Sequence, residues 1–232
     1  MTTTQRSARL AALAYLGLAI SGIVGFLLIR SQLYVPDDAT RTAANLVAHE
    51  GLARLGVAAD LVTVLTQALA AVGFFLVFRR VNLVGAASIT AFGLMNSVVI
   101  LVATAFSATA LQVAVRGGPT SASDALMLYD VNAATWNAGG LFFGLWLIPM
   151  GWLTLRSGSM PRALGWILVV GGVGYVLSAF VSFLAPGASG LAGVLPLPAT
   201  VGEVWMIGYL LIKGMPDGPP MPGRRDPKGA VA

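Results

Sequence analysis

Apolar runs of roughly 20 residues recur along the chain, each closed by a short polar or basic joint, and each is long enough for a helix to cross a hydrocarbon layer of about 30 Å. Hydrophobic residues make up 57% of the chain and charged residues 10%. Soluble domains carry about 25% charged residues, so one water-facing surface around one core does not fit this composition. Inside lipid every backbone N–H and C=O needs an internal partner, which helices provide. The fold class that follows is all-α: a polytopic transmembrane bundle of six helices with an interfacial outer helix after the first span.

The first apolar run is Leu10 to Ile29, preceded by a basic segment. It is longer than a signal-peptide core and has no clear small-residue cleavage site, so it reads as a retained span. Pro36-Asp37-Asp38 then marks a turn and a helix start. From Thr40 to Arg54 apolar and polar residues interleave as an interfacial helix requires, and whether span two, about Leu55 to Phe78, simply continues it stays open. Span three covers Val84 to about Leu111, a loop is expected over Gln112 to Asp130, and span four covers Val131 to Leu155 with Pro149 inside it. Ser159 is the expected N-cap of span five, which reaches Ala185, and Pro196 and Pro198 precede span six, Ala199 to Ile212. Residues 1–212 thus form one membrane domain. The Pro/Gly-rich basic segment 213–232 has almost no bulky apolar residue and is expected to be a disordered cytoplasmic tail.

Charge orients the bundle. Arg6, Arg9, Arg79, Arg80, Arg156, Arg162, Lys213, Arg224, Arg225 and Lys228 fall on one side of a six-span arrangement, against Arg30, Arg41, Arg54 and Arg116 on the other. Lys and Arg accumulate in cytoplasmic loops, so both termini are expected in the cytoplasm. The net charge of +5 therefore points to membrane topology and not to a nucleic-acid partner.

Ionisable groups within spans are expensive and mark sites by default. Asp60 in span two and Glu203 in span six are the two acids of this kind. Asp60, Thr63 and Gln67 share one helix face, which His49 joins if the helix is unbroken. Asn137 lies in the outer part of span four and Asn96 near the middle of span three. Together Asp60, Glu203, Asn137, Asn96, His49 and Gln67 are the candidate ligand-binding set, an outward-facing pocket with Trp136 and Trp205 as its lid. The same acids also serve as interhelical glue in a purely structural reading. Small residues three or four apart (Gly17, Ser21, Gly25; Gly140, Gly144; Gly171, Gly174, Ser178, Ser182) predict close helix packing. Hairpins one-two and five-six echo each other and are expected to face one another.

The chain has no cysteine and one histidine, which excludes thiolate chemistry, Cys-type zinc sites and a bis-His haem held within one chain. No Walker, zincin, hydrolase-elbow or dinucleotide fingerprint is present. A metal set of His49 with Asp60, Glu203 or Glu50 has zinc-type ligands but no recognised spacing. No cofactor is singled out.

The strings Val35-Pro36-Asp37-Asp38-Ala39-Thr40, Asn45-Leu46-Val47-Ala48-His49-Glu50, Arg54-Leu55-Gly56 and Asp60-Leu61 carry a resemblance, which continues through Phe142-Phe143-Gly144-Leu145, Pro161-Arg162-Ala163-Leu164-Gly165 and Val201-Gly202-Glu203. On these residues the chain resembles a family of bacterial six-helix membrane proteins that carries a domain-of-unknown-function label. The resemblance implies six spans in a bacterial plasma membrane and supplies no substrate. Three readings stay open. The pocket binds a small molecule, lipid or cation in a transporter or sensor; it is the centre of an enzyme acting on a lipid-like substrate; or its polar groups only lock helices in an assembly protein.

Overall fold

The computed structural model describes residues 3–215. Helix α1 (Thr3–Gly22) runs into a π-helical segment (Ile23–Ile29) and a short α2 (Arg30–Leu33). Next come α3 (Ala39–Ala48), α4 (Glu50–Phe78), α5 (Leu83–Arg116), α6 (Ser121–Ser157) and α7 (Arg162–Leu184). A 3-10 turn (Pro186–Ala188), α8 (Ser189–Val194) and α9 (Leu197–Ile212) complete the chain. Among the described residues six helical stretches are long and apolar enough to cross a membrane, namely Gln5–Leu33, Glu50–Phe78, Leu83–Arg116, Ser121–Ser157, Arg162–Leu184 and Ser189–Ile212. This is the six-helix bundle expected from the apolar runs.

The spans form a closed ring: each packs on its chain neighbours, and α9 returns to pack on α1. The expected meeting of hairpins one-two and five-six is realised at that α1–α9 contact. Small residues set the tightest approaches. A Cβ placed on Gly144 would lie 2.5 Å from the carbonyl oxygen of Gly172, and one on Gly151 2.5 Å from that of Gly165, so α6 and α7 meet backbone to backbone at two levels. Gly171 is held as closely against Ala199 of α9.

An even number of spans puts both chain ends on one side, and Gly214 lies beside Gln5 there. At the other, distal end α5 and α6 extend well past a bilayer, since helices of 34 and 37 residues are about 50 Å long against about 30 Å of hydrocarbon. The interfacial helix α3 packs on these extensions, burying Thr42 and Leu46. Asp38 caps α3, its carboxylate accepting the Arg41 N–H at 2.9 Å.

Buried apolar residues form two separate cores. The larger, at the terminal end, centres on Tyr15, Phe74, Trp146 and Leu168; the smaller, at the distal end, on Leu33, Leu46, Ala110 and Tyr129. Between them most of the buried polar side chains form a belt: Ser21, Asp60, Thr63, Gln67, Asn96, Ser97, Thr104, Ser107 and Asn132.

The structure refines the expected boundaries at four points. The segment Gln112 to Asp130 is not a loop: Gly117 and Gly118 at positive φ confine the break to a few residues, and the following helix buries Ala125 and Tyr129 in the distal core. The helix from Thr40 does not continue into span two, because His49, at φ −119° and ψ 41°, ends α3 and starts α4. Ser159 does not cap α7; its hydroxyl turns back to the Ser157 carbonyl at 3.2 Å, and Pro161 holds the N-cap position. Finally, Gly214 and Met215, at the start of the expected tail, are buried, with Met215 only 5% exposed and packed in the terminal core. The rest of the expected tail, 216–232, lies outside the described residues.

Candidate functional site

The site forms where the polar belt meets the distal core. Asp60 projects from α4 toward α1, and a Cβ on Gly25 would lie 2.7 Å from its Oδ1, so only glycine admits the carboxylate there. Gly25 belongs to the π-helical segment, a form that recurs at functional positions because its extra residue re-aims the side chains that follow. Here the residue that follows on the chain is Arg30. Its guanidinium lies 5.2 Å from the Phe26 ring centroid and 5.4 Å from that of Tyr34, and Nη1 is buried with no protein hydrogen-bond partner.

Asp60 and Arg30 border the same cleft, a space of about 20 Å³ that admits about one water. Among the described residues neither side chain makes a hydrogen bond, and no direct ion pair joins them. Asp60 is 9% exposed. The walls are Phe26, Gly56, Val57 and Tyr129, with Ser107, Asn132 and Trp136 facing from α5 and α6. Asn132 is fixed by donating its Nδ2–H to the Ala103 carbonyl at 2.6 Å, and Trp136 tilts against Phe26 with ring centroids 5.2 Å apart. Over the distal mouth Tyr34 stacks on Tyr129 and donates to Asp130 at 2.6 Å. Burial, with that hydrogen bond second, pushes the Tyr34 phenol up to about 12, so it remains a donor at neutral pH.

Below the cleft, the Thr63 hydroxyl donates to the Ser21 hydroxyl at 2.8 Å. One turn further, Gln67 is fully buried, and its Nε2 and Oε1 have no protein partner; neither has the indole N–H of Trp146. Both nitrogens approach Gly93, where a Cβ would lie 3.3 Å from Trp146 Nε1 and 3.4 Å from Gln67 Nε2. The stripe of Asp60, Thr63 and Gln67 therefore faces the bundle interior as its spacing predicts.

The other candidates are dispersed. Glu203 does not share the Asp60 cleft: it accepts a 2.6 Å hydrogen bond from Tyr15, while Asp60 sits against Gly25, ten residues or about 15 Å further along the first span. The similar depth inferred from the two runs overlooked that α8 and the turn before α9 already occupy part of the last span, which moves Glu203 toward the terminal end. His49 is exposed at the α3–α4 junction, away from the cleft, because the helix breaks there. Asn137 is exposed too; Asn132, five residues earlier, takes the inward place. Asn96 is buried beside Gly139, in the belt but outside the cleft wall. Trp136 lines the cleft as expected of a lid, whereas Trp205 is 39% exposed and does not. The separation of His49, Asp60 and Glu203 leaves no metal set, and among the described residues no three His, Asp or Glu side chains converge.

A six-span helical bundle with a polar belt between two apolar cores defines a multi-pass membrane protein. The chain belongs to the family described as Domain of unknown function (DUF4386), which matches residues 10–214. It is also similar to a protein of Archaeoglobus fulgidus titled "uncharacterized protein", 34% identical over 89 residues, which cover 38% of this chain and 52% of that relative. The match thus spans about half of the relative's length. No solved structure matches the chain.

Proposed function

We propose that the protein binds a small zwitterionic solute in the Asp60–Arg30 cleft, as a carrier or sensor, with the cleft opening on the side opposite the cytoplasm. The observation that carries this reading is a carboxylate and a guanidinium bordering one intramembrane cleft with neither bonded to the protein. Charges withdrawn from water are costly unless paired, so an unbridged pair is suited to a ligand that completes it. A bare cation at Asp60 would meet the charge of Arg30, and a bare anion at Arg30 the charge of Asp60. A molecule bearing both signs satisfies each, and the rings of Phe26, Tyr129 and Trp136 suit its apolar part. Admission of anything larger than water requires the Tyr34–Asp130 and Phe26–Trp136 contacts to part.

Glu203 has a different role in this reading. Its short bond to Tyr15 joins α9 to α1, which supports interhelical attachment there.

Protein in lipid nanodiscs, challenged with glycine betaine, neutral amino acids and sodium or potassium chloride, is expected to gain thermal stability from a zwitterion and not from the salts. Asp60→Asn and Arg30→Gln should each abolish that gain. No gain from any zwitterion, or a gain that survives Asp60→Asn, would refute the assignment. Orientation is tested separately in the cysteine-free chain. A cysteine at Ser121 should react with an impermeant thiol reagent in intact cells, and one at Arg156 only after lysis.

A further inference from the structure

At the terminal end, a second and larger cavity of about 500 Å³ lies between the first turns of α5 and α7 and the last turns of α6. Its walls are almost wholly apolar, with Phe92, Ile148, Pro149 and Leu155 along the length and the exposed rings of Trp152 and Trp166 at the rim. Those exposed rings place it on the flank of the ring of helices, where lipid would lie. Gly85 shapes the groove: a Cβ there would lie 3.0 Å from Trp152 Cζ3, so the indole packs directly on the α5 backbone, and both residues line the groove.

The mouth of this groove is basic. Arg156 lies with its guanidinium carbon 4.8 Å from the Trp152 ring centroid, and Arg162 stands across the same short turn, exposed. Arg79 and Arg80 are exposed on the neighbouring turn before Asn82, which itself lines the groove. None of these four arginines has an ion-pair partner among the described residues; the two ion pairs, Arg41–Asp38 and Arg54–Glu50, both lie at the distal end.

We propose that this groove is a specific site for an anionic phospholipid, with an acyl chain along Phe92, Ile148 and Leu155 and the headgroup phosphate held by Arg156 and Arg162. An apolar channel of this volume accepts an acyl chain but gives no reason for selectivity. The arginines supply it, because guanidinium groups bind phosphate in a forked geometry, and basic pockets between helices recognise anionic headgroups. The tryptophans sit where such rings prefer to lie, at headgroup level.

The test uses the full chain reconstituted in nanodiscs of equal phosphatidylglycerol and phosphatidylcholine, released into the gas phase for native mass spectrometry. Retained lipid should be mainly phosphatidylglycerol, and Arg156→Gln with Arg162→Gln should lower its preference by about fivefold per arginine. Ser88→Phe, which fills the groove from α5 without touching the arginines, should reduce total retained lipid while circular dichroism stays unchanged. Equal retention of the two lipids, an unchanged preference in the double arginine variant, or a lipid-free dimer would each overturn the proposal, the last by assigning the groove to a second copy of the chain. If Ser88→Phe fails to fold, the arginine pair alone decides, since both residues are exposed and lie outside the packed interior.

Discussion

Asp60 and Glu203 are the same kind of residue in the same kind of setting, a lone acid within an apolar helix, yet the bundle treats them in opposite ways. Glu203 is fastened to Tyr15, whose ring packs edge-on against both Phe74 and Trp146, so it belongs to the terminal core. Asp60 lies against a glycine, unbonded, and borders the same cleft as Arg30, whose Nη1 has no hydrogen-bond partner among the described residues. Residue type and an apolar helical setting therefore do not distinguish a carboxylate bonded within the bundle from one left unbonded. What separates them is whether the surrounding side chains satisfy the carboxylate.

The largest expected contrast comes from removing one indole from each region, Trp146 from the terminal core and Trp136 from the cleft. Trp146 is fully buried at the junction of Tyr15, Phe74 and Phe143, so Trp146→Ala should lower unfolding stability by about 3–5 kcal/mol. Trp136 is only partly buried, and Trp136→Ala should cost about 1 kcal/mol, the centre of the range for point substitutions. Denaturant unfolding in detergent measures both. Equal losses would mean that the cleft is as much a packed core as the terminal half, and the comparison would fail.

A second, smaller contrast addresses the acids themselves. Tyr15→Phe deletes the only hydrogen bond that Glu203 makes among the described residues and leaves a carboxyl group unpaired, for an expected loss of about 1.5–3 kcal/mol. Asp60→Asn deletes no hydrogen bond and should change stability by less than about 0.5 kcal/mol. A large loss for Asp60→Asn would show that Arg30 depends on the Asp60 charge for its placement, making the pair structural.

The lengths of the apolar runs were enough to read the six spans, and the i, i+3, i+7 spacing of Asp60, Thr63 and Gln67 correctly oriented one helix face. Local rules of this kind depend only on neighbours along the helix. Arg30 escaped notice because it ends an apolar run, where a basic residue reads as a boundary charge. Its inward aim follows from a π-helical segment, and Ile23 to Ile29 carries no proline or other break that would reveal one. His49 lies off the stripe for the converse reason. Its place on the stripe is conditional on a continuous helix, and nothing in Ala48-His49-Glu50 marks the change of backbone angles that interrupts it. Asn137 and Asn132 show the same limit: both are polar and close in sequence, and only packing against α5, where Asn132 reaches the Ala103 carbonyl, decides which one is inside.

The smallest effect concerns the belt that separates the two regions. Gln67 has two amide hydrogens and a carbonyl oxygen, fully buried, and none of them meets a protein partner; the nearby indole N–H of Trp146 is in the same state. Buried polar atoms without partners are unfavourable, whereas an apolar side chain of similar volume keeps the contacts and removes the demand. Gln67→Leu is therefore expected to raise stability by about 1 kcal/mol, a shift of a few degrees in melting temperature. The substitution lies about two turns from Asp60 on the same face, so it should leave ligand-dependent stabilisation at the cleft intact. Should Gln67→Leu instead lower stability, the amide must be satisfied by bound water or by a ligand that reaches this depth, and the site would extend from Asp60 to the surface of the terminal core. The two outcomes can be told apart by the double variant with Asp60→Asn. Independent sites give additive changes, whereas a single extended site gives a coupling of about 0.5 kcal/mol or more.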